Sequence, residues 1–219
     1  MNTTATGFFV QRNIFSTRAK ILGFYIENEG LSSFLLFPAK NQTPLIPFVR
    51  YELEYKANQS ANIIKRLEMV SLNTSWCANP QRLAIAFFVC EVIQQTCLQK
   101  NFDAQANAVL LATEQKLMHS NNLFIIPLDF LCQWMEVLGY LPEAIDNAND
   151  FEVQEGVFSY HTHKKTAGAT AWNRLLLKQD VADKEELREA FYLMLNYLNA
   201  QVPHFNVHQT VSILQQIFH

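Results

Sequence analysis

The chain has 219 residues, 49% of them hydrophobic and 17% charged, with only six glycines and seven prolines. That composition supplies a real core and excludes a disordered tail, a collagen-like fibre or a low-complexity linker. A formal charge of -3 also excludes a strongly basic protein that coats nucleic acid by charge alone.

The longest nearly unbroken apolar run, Leu83 to Cys90, is too short to span a bilayer. The Met1-to-Thr6 start lacks the charged and apolar regions of a signal peptide, so a cytoplasmic protein with no membrane partner is expected. Cys77, Cys90, Cys97 and Cys132 lie in or beside helical patterns, and no pair has Cys-x-x-Cys spacing. Reduced, buried thiols and no bound metal are the expectation. Charge is uneven along the chain. Residues 1–75 hold 8 Lys+Arg against 5 Asp+Glu, and the rest hold 9 against 15, so any polyanion site is expected in the first part.

The predicted elements begin with strands. Gly7–Ile14 and Arg18–Glu27 form the first two, the second alternating Lys20, Leu22, Phe24 and Ile26 against Ala19, Ile21, Gly23 and Tyr25. Asn28-Glu29-Gly30 supplies a tight turn, with Gly30 suited to a positive φ. Leu31–Phe37 is a third strand, and 38–47 is a loop with three prolines. In Phe48–Lys56, Val49, Tyr51, Leu53 and Tyr55 alternate with Arg50, Glu52, Glu54 and Lys56, the period of a half-buried strand. Ile63–Leu72 is a weaker fifth. Five short strands in so few residues predict a small closed barrel of OB type, because closure removes sheet edges.

At Trp76 the period changes to helical. Asn79 can cap a helix with Pro80 in its first turn and Leu83, Phe87, Cys90, Ile93 and Cys97 on one face. A second helix runs over Asp103–His119. A third starts near Pro127, carries Phe130, Leu131, Trp134, Met135 and Leu138, and stops at Gly139. These three are expected to form a bundle. Residues 143–166 are polar and irregular, with a short hairpin possible at Phe151–Tyr160. Ala167–Lys178 is helical again, and Asp183 with Glu186 starts a helix whose buried face is Leu187, Phe191, Met194, Leu195 and Leu198. Val207 to about Phe218 is the last helix, presenting Val211, Leu214 and Phe218. The fold class is therefore α+β: a barrel domain over 1–75 and a helical domain over 76–219, the latter interrupted at 143–166.

Several strings resemble, in order, the RecO family of DNA repair proteins, especially members without its zinc ribbon. They are Thr6-Gly7-Phe8-Phe9-Val10, Ser16-Thr17-Arg18-Ala19-Lys20-Ile21, Leu45-Ile46-Pro47-Phe48 with Tyr51-Glu52-Leu53-Glu54-Tyr55, Leu138-Gly139-Tyr140-Leu141-Pro142 and Phe151–Phe158. Tyr197, Val202-Pro203-His204-Phe205 and Ser212-Ile213-Leu214 extend the likeness to the closing helices. The resemblance implies an OB fold, a helical domain and a recombination mediator rather than an enzyme, monomeric alone. It implies binding of single- and double-stranded DNA, annealing, and work at the nucleoid with RecR and single-stranded-DNA-binding protein to load the RecA recombinase. Where relatives carry a basic loop, 38–44 keeps one lysine; where some receive the acidic tail of single-stranded-DNA-binding protein, this chain has Leu128-Asp129.

On that reading the phosphate-contacting candidates are Arg12, Arg18, Lys20, Lys40, Arg50, Lys56, Lys65 and Arg66, with exposed aromatics stacking on bases. The alternative is an interaction protein of the same fold that holds RecR or another partner without touching DNA. A metal-dependent hydrolase built on His161 and His163, with His204 or His208, is the reading from a different class. The chain has no Gly-x-Ser-x-Gly elbow and no phosphate-cradling glycine loop, and no cofactor is expected.

Overall fold

The computed structural model describes residues 2–16, 19–37, 44–57, 61–70 and 74–218. Its strands are β1 (Asn2–Ser16), β2 (Ala19–Ile26), β3 (Gly30–Leu36), β4 (Arg50–Lys56) and β5 (Asn62–Met69). β1 is long enough to serve two neighbours. Its first half pairs antiparallel with β4, from Asn2↔Lys56 to Phe8↔Arg50, and its second half with β2, from Gly7↔Ile26 to Ser16↔Ala19. β2 continues antiparallel to β3, β3 meets β5 in parallel through Phe34↔Asn62 and Leu35↔Ile63, and β5 returns antiparallel to β4. The order β1-β2-β3-β5-β4 thus closes on itself.

The first half of β3 has a strand on one edge only, and the connection after the first helix covers the other. Leu31 bridges Gln99, and the Lys100 amide donates to the Leu31 carbonyl at 2.8 Å. Gly30, at φ +78°, makes the approach possible, since a Cβ there would lie 2.3 Å from the Asn101 carbonyl oxygen. The predicted turn residue therefore has a second role in packing.

Two compact units result: residues 1–119 with 207–219, and residues 120–206. The strand-to-helix change, at a 3-10 turn over Ser75–Ala78, falls inside the first unit. That unit also contains α1 (Pro80–Thr96), α2 (Ala104–His119) and α6 (His208–Phe218). Asn79 caps α1 by accepting from the Gln81 and Arg82 amides at 2.9 and 3.2 Å, and Asp103 accepts from Ala106 at 2.9 Å at the start of α2. The single face expected for α1 is not what forms. Ala84, Ile85, Ala86, Phe88, Val89, Cys90, Val92 and Ile93 are all buried, whereas Phe87 is exposed, because the helix packs against both β1 and α6. The expected bundle of the first three helices is corrected accordingly: the third belongs to the second unit.

In that unit α3 (Ile125–Leu138) and α4 (Ala169–Leu176) pack on α5 (Lys184–Gln201), beside a hairpin of β6 (Asp150–Glu152) and β7 (Val157–Ser159). Trp172 lies at the centre of an aromatic cluster, its ring 4.7 Å from Phe151, 5.3 Å from Phe158 and 5.7 Å from Tyr197. The Tyr197 hydroxyl donates to the Tyr140 carbonyl at 2.9 Å. Gly139, at φ +75°, ends α3. Among the described residues no helix is long and apolar enough to cross a membrane.

Candidate nucleic-acid interface

Alternation along β4 sends Arg50, Glu52, Glu54 and Lys56 to one side and buries Tyr51, Leu53 and Tyr55 on the other. Register then fixes their neighbours: Glu52 lies opposite Glu68, Glu54 opposite Arg66, and Lys56 opposite Ile63. On the β1 side, Thr6, Thr4 and Asn2 face Glu52, Glu54 and Lys56, and the Asn2 amide donates to Glu54 at 2.6 Å. The outer surface of β4 and β5 therefore interleaves both signs of charge. Arg66 pairs with Glu68 at 2.7 Å, and that hydrogen bond raises the guanidinium's affinity for its proton.

Arg50 is the most committed of the candidate cations. Its Nε lies 3.2 Å from Oε1 and 3.0 Å from Oε2 of Glu114 on α2, and its guanidinium carbon is 5.9 Å from the Phe8 ring centre. The Arg50 side chain is 30% exposed and that of Glu114 only 2%, so the arginine neutralises a carboxylate that water does not reach. The sequence carried a sign of this pair: Glu114 lies on the same stripe as Leu110 and Leu117, the buried face of α2.

Arg12 is exposed on β1, and Lys20 is half-buried on β2 two register positions away, since Arg12 pairs with Leu22 and Ile14 with Lys20. Lys56, Lys65 and Arg66 are exposed on β4 and β5. Lys56 lies opposite Asn2, ten residues before Arg12 on β1, about 30 Å along an extended strand. The described candidates thus form two groups towards opposite ends of β1, with Arg50 between them at the register of Phe8. Arg18 and Lys40 lie outside the described residues.

Most aromatic rings of the sheet lie inside it, Tyr51 and Tyr55 as the alternation of β4 predicts, and so are not available to stack on bases. Phe24 contacts Phe9, Phe34 and Tyr51 at centroid distances of 5.4, 5.8 and 6.0 Å, and Phe34 contacts Tyr55 at 5.0 Å. All five rings are buried. Their hydroxyls are also engaged: Tyr51 donates to the Pro44 carbonyl at 2.7 Å and Tyr55 to Glu29 at 2.9 Å. Burial pushes both phenols up to about 12. Phe37, 51% exposed beyond the end of β3, is an accessible exception.

The histidines proposed for metal binding are exposed, and His161 Nε2 is 3.7 Å from the buried carboxylate of Asp150. Among the described residues no group of three or more His, Cys, Asp or Glu side chains is placed to hold a metal ion. Cys77, Cys90, Cys97 and Cys132 are free thiols, Cys90 buried and the others half-buried. No family model matches the chain, and no curated protein matches it.

Proposed function

We propose that this protein is a RecO-like recombination mediator of DNA repair, acting by strand handling and protein contacts rather than by covalent chemistry. The closed five-stranded sheet is read as an OB-type barrel, a fold whose outer face and loops commonly hold single strands. The supporting observation is its strand order, β1-β2-β3-β5-β4, followed along the chain by helices, the coarse organisation that a RecO-like chain would have. In this reading DNA is met by Arg12 and Lys20 at one end of β1 and by Lys56 and Lys65 at the other, and RecR and single-stranded-DNA-binding protein are the partners at the nucleoid.

The test is a mobility shift with single-stranded oligonucleotides at low salt, repeated as salt is raised. Retention that weakens steeply with salt is expected. Absence of retention even at low salt removes the DNA half of the proposal. A second reading, an interaction protein of the same fold that holds RecR, is favoured by the charge pairing of Arg50 and Arg66 and by the buried aromatics. Co-purification with RecR without oligonucleotide retention would select it.

A further inference from the structure

We propose that the loop Tyr160–Lys165 of the second unit is an additional docking element for single-stranded DNA. The choice of DNA as the polyanion rests on the function proposed above. The second unit is acidic, yet Tyr160-His161-Thr162-His163-Lys164-Lys165 contains two lysines, two histidines and no acid, and all six residues are exposed.

The loop is held in place at its root. The Asn149 side chain donates to the His161 carbonyl at 2.8 Å and accepts from the His161 amide at 2.9 Å. The Thr166 amide donates to the Asn149 carbonyl at 3.1 Å, and the Thr166 hydroxyl donates to Asp150. Asp150, with a side chain only 3% exposed, also holds Lys164 at 3.2 Å. Its negative charge is thus spent beneath the loop, fixing Lys164, while Lys165 has no ion-pair partner among the described residues. The hairpin's other acids are remote in register: Glu152 pairs with Val157, at the opposite end from Asp150↔Ser159, where the chain enters the loop.

Tyr160 selects the ligand. A phenol 60% exposed on an anchored loop offers a flat π-face beside cations. Single-stranded DNA uses both features, a phosphate on Lys165 and an unpaired base on the ring, whereas an acidic peptide uses only the charge. Duplex DNA keeps its bases stacked and leaves the ring unused.

The test uses the full chain and fluorescence anisotropy of a labelled oligo(dT) of about 15 nucleotides, within the range of a small single-strand site. Tyr160→Ser is expected to weaken binding about five- to a hundredfold, the loss of one stacked base. Lys165→Gln is expected to lower the slope of log affinity against log salt by about 0.7, one single-strand phosphate. Thermal melts of both variants should superimpose on the parent, and Lys178→Gln, an exposed cation on another segment, should bind as the parent does. If the parent binds and the loop variants bind equally, the inference is overturned while the proposed function stands. If the parent does not bind, the inference and the DNA half of that function fail together. If the variants instead lose binding to a polyglutamate peptide and keep the oligonucleotide, the loop is a peptide surface and the inference is overturned.

Discussion

Replacing Arg50 with alanine should destabilise the first unit far more than it affects DNA. Glu114 remains buried when its partner is removed, and its carboxylate is then uncompensated. Two unit charges about 4 Å apart attract by about 4 kcal/mol at an effective dielectric near 20, and removing one member of a fully buried pair costs about 3–5 kcal/mol. Because the Arg50 side chain is 30% exposed, its guanidinium keeps part of its hydration in the pair, so we expect about 2–3 kcal/mol. Glu114→Gln keeps the shape and one hydrogen bond from the guanidinium, now to a neutral acceptor, and should cost about 1–2 kcal/mol. The double replacement Arg50→Met with Glu114→Leu should fall within about 1 kcal/mol of the parent, because no charge is left buried.

Hydrogen exchange of peptides from β4 and α2 measures this within the intact chain, without assuming that the two units unfold together. A cost below about 0.5 kcal/mol for Arg50→Ala, or effects of the single changes that simply add, would refute the reasoning. The same variant has a second readout. With its charge committed to Glu114, Arg50 should leave the salt slope of oligonucleotide binding unchanged, whereas a fall of about 0.7 would mean that it meets a phosphate instead.

Gly168→Ala should destabilise the second unit by about 3 kcal/mol or more, since the residue sits at φ +81° and a Cβ would lie 2.3 Å from the Glu189 carbonyl carbon; exchange of α4 and α5 peptides reads the loss, and an unchanged profile refutes the close packing. The Thr166 hydrogen bond, aided by Lys164, holds the Asp150 carboxyl below its ordinary range. A depressed folded value means stability that is present above the unfolded value, near 3.9, and lost as pH falls through the folded one. Acid titration of unit stability should therefore be shallower below about pH 4 in Asp150→Asn, and an identical titration argues against the latch. Burial pushes the Cys97 and Cys132 thiols up to about 12 and raises that of Cys90, so a thiol-reactive dye at about pH 8 should label these three slowly in the native chain and fully in the unfolded one. Rapid native labelling of Cys90 would contradict its burial.

Sequence reasoning read best where one face of an element is buried and the other is wet. β4 shows its alternation openly, and α5 buries Leu187, Phe191, Met194, Leu195 and Leu198 as its spacing requires. α1 was misread because it is covered on more than one side, so its apolar residues carry little information about direction. The first residues of β1 were missed for the opposite reason: Asn2, Thr3 and Thr4 are polar and exposed, and only pairing with β4 makes them a strand. The Arg50–Glu114 pair spans 64 positions, so its individual residues were visible but their meeting was not. For the loop after β7, composition showed the cations, while the anchoring by Asn149 and Asp150 depends on a hairpin register that local patterning does not specify.

A small closed sheet has a consequence for how this chain could hold a single strand. Five rings from four of its strands occupy the interior, and they must, because short strands offer few inward positions and aromatics fill them with the fewest residues. The barrel's interior thus takes up the kind of side chain that single-strand binders present outward for stacking. Its remaining outward cations are mixed with Glu52, Glu54 and Glu68, which limits how far phosphate attraction alone can carry binding. If the chain binds DNA tightly, the missing stacking must come from residues outside that interior, and Phe37 and Tyr160 are accessible rings on two separate segments. Affinity that survives Phe37→Ser but falls in Tyr160→Ser assigns stacking to the second unit; the reverse assigns it to the sheet and leaves the basic loop without a base to read.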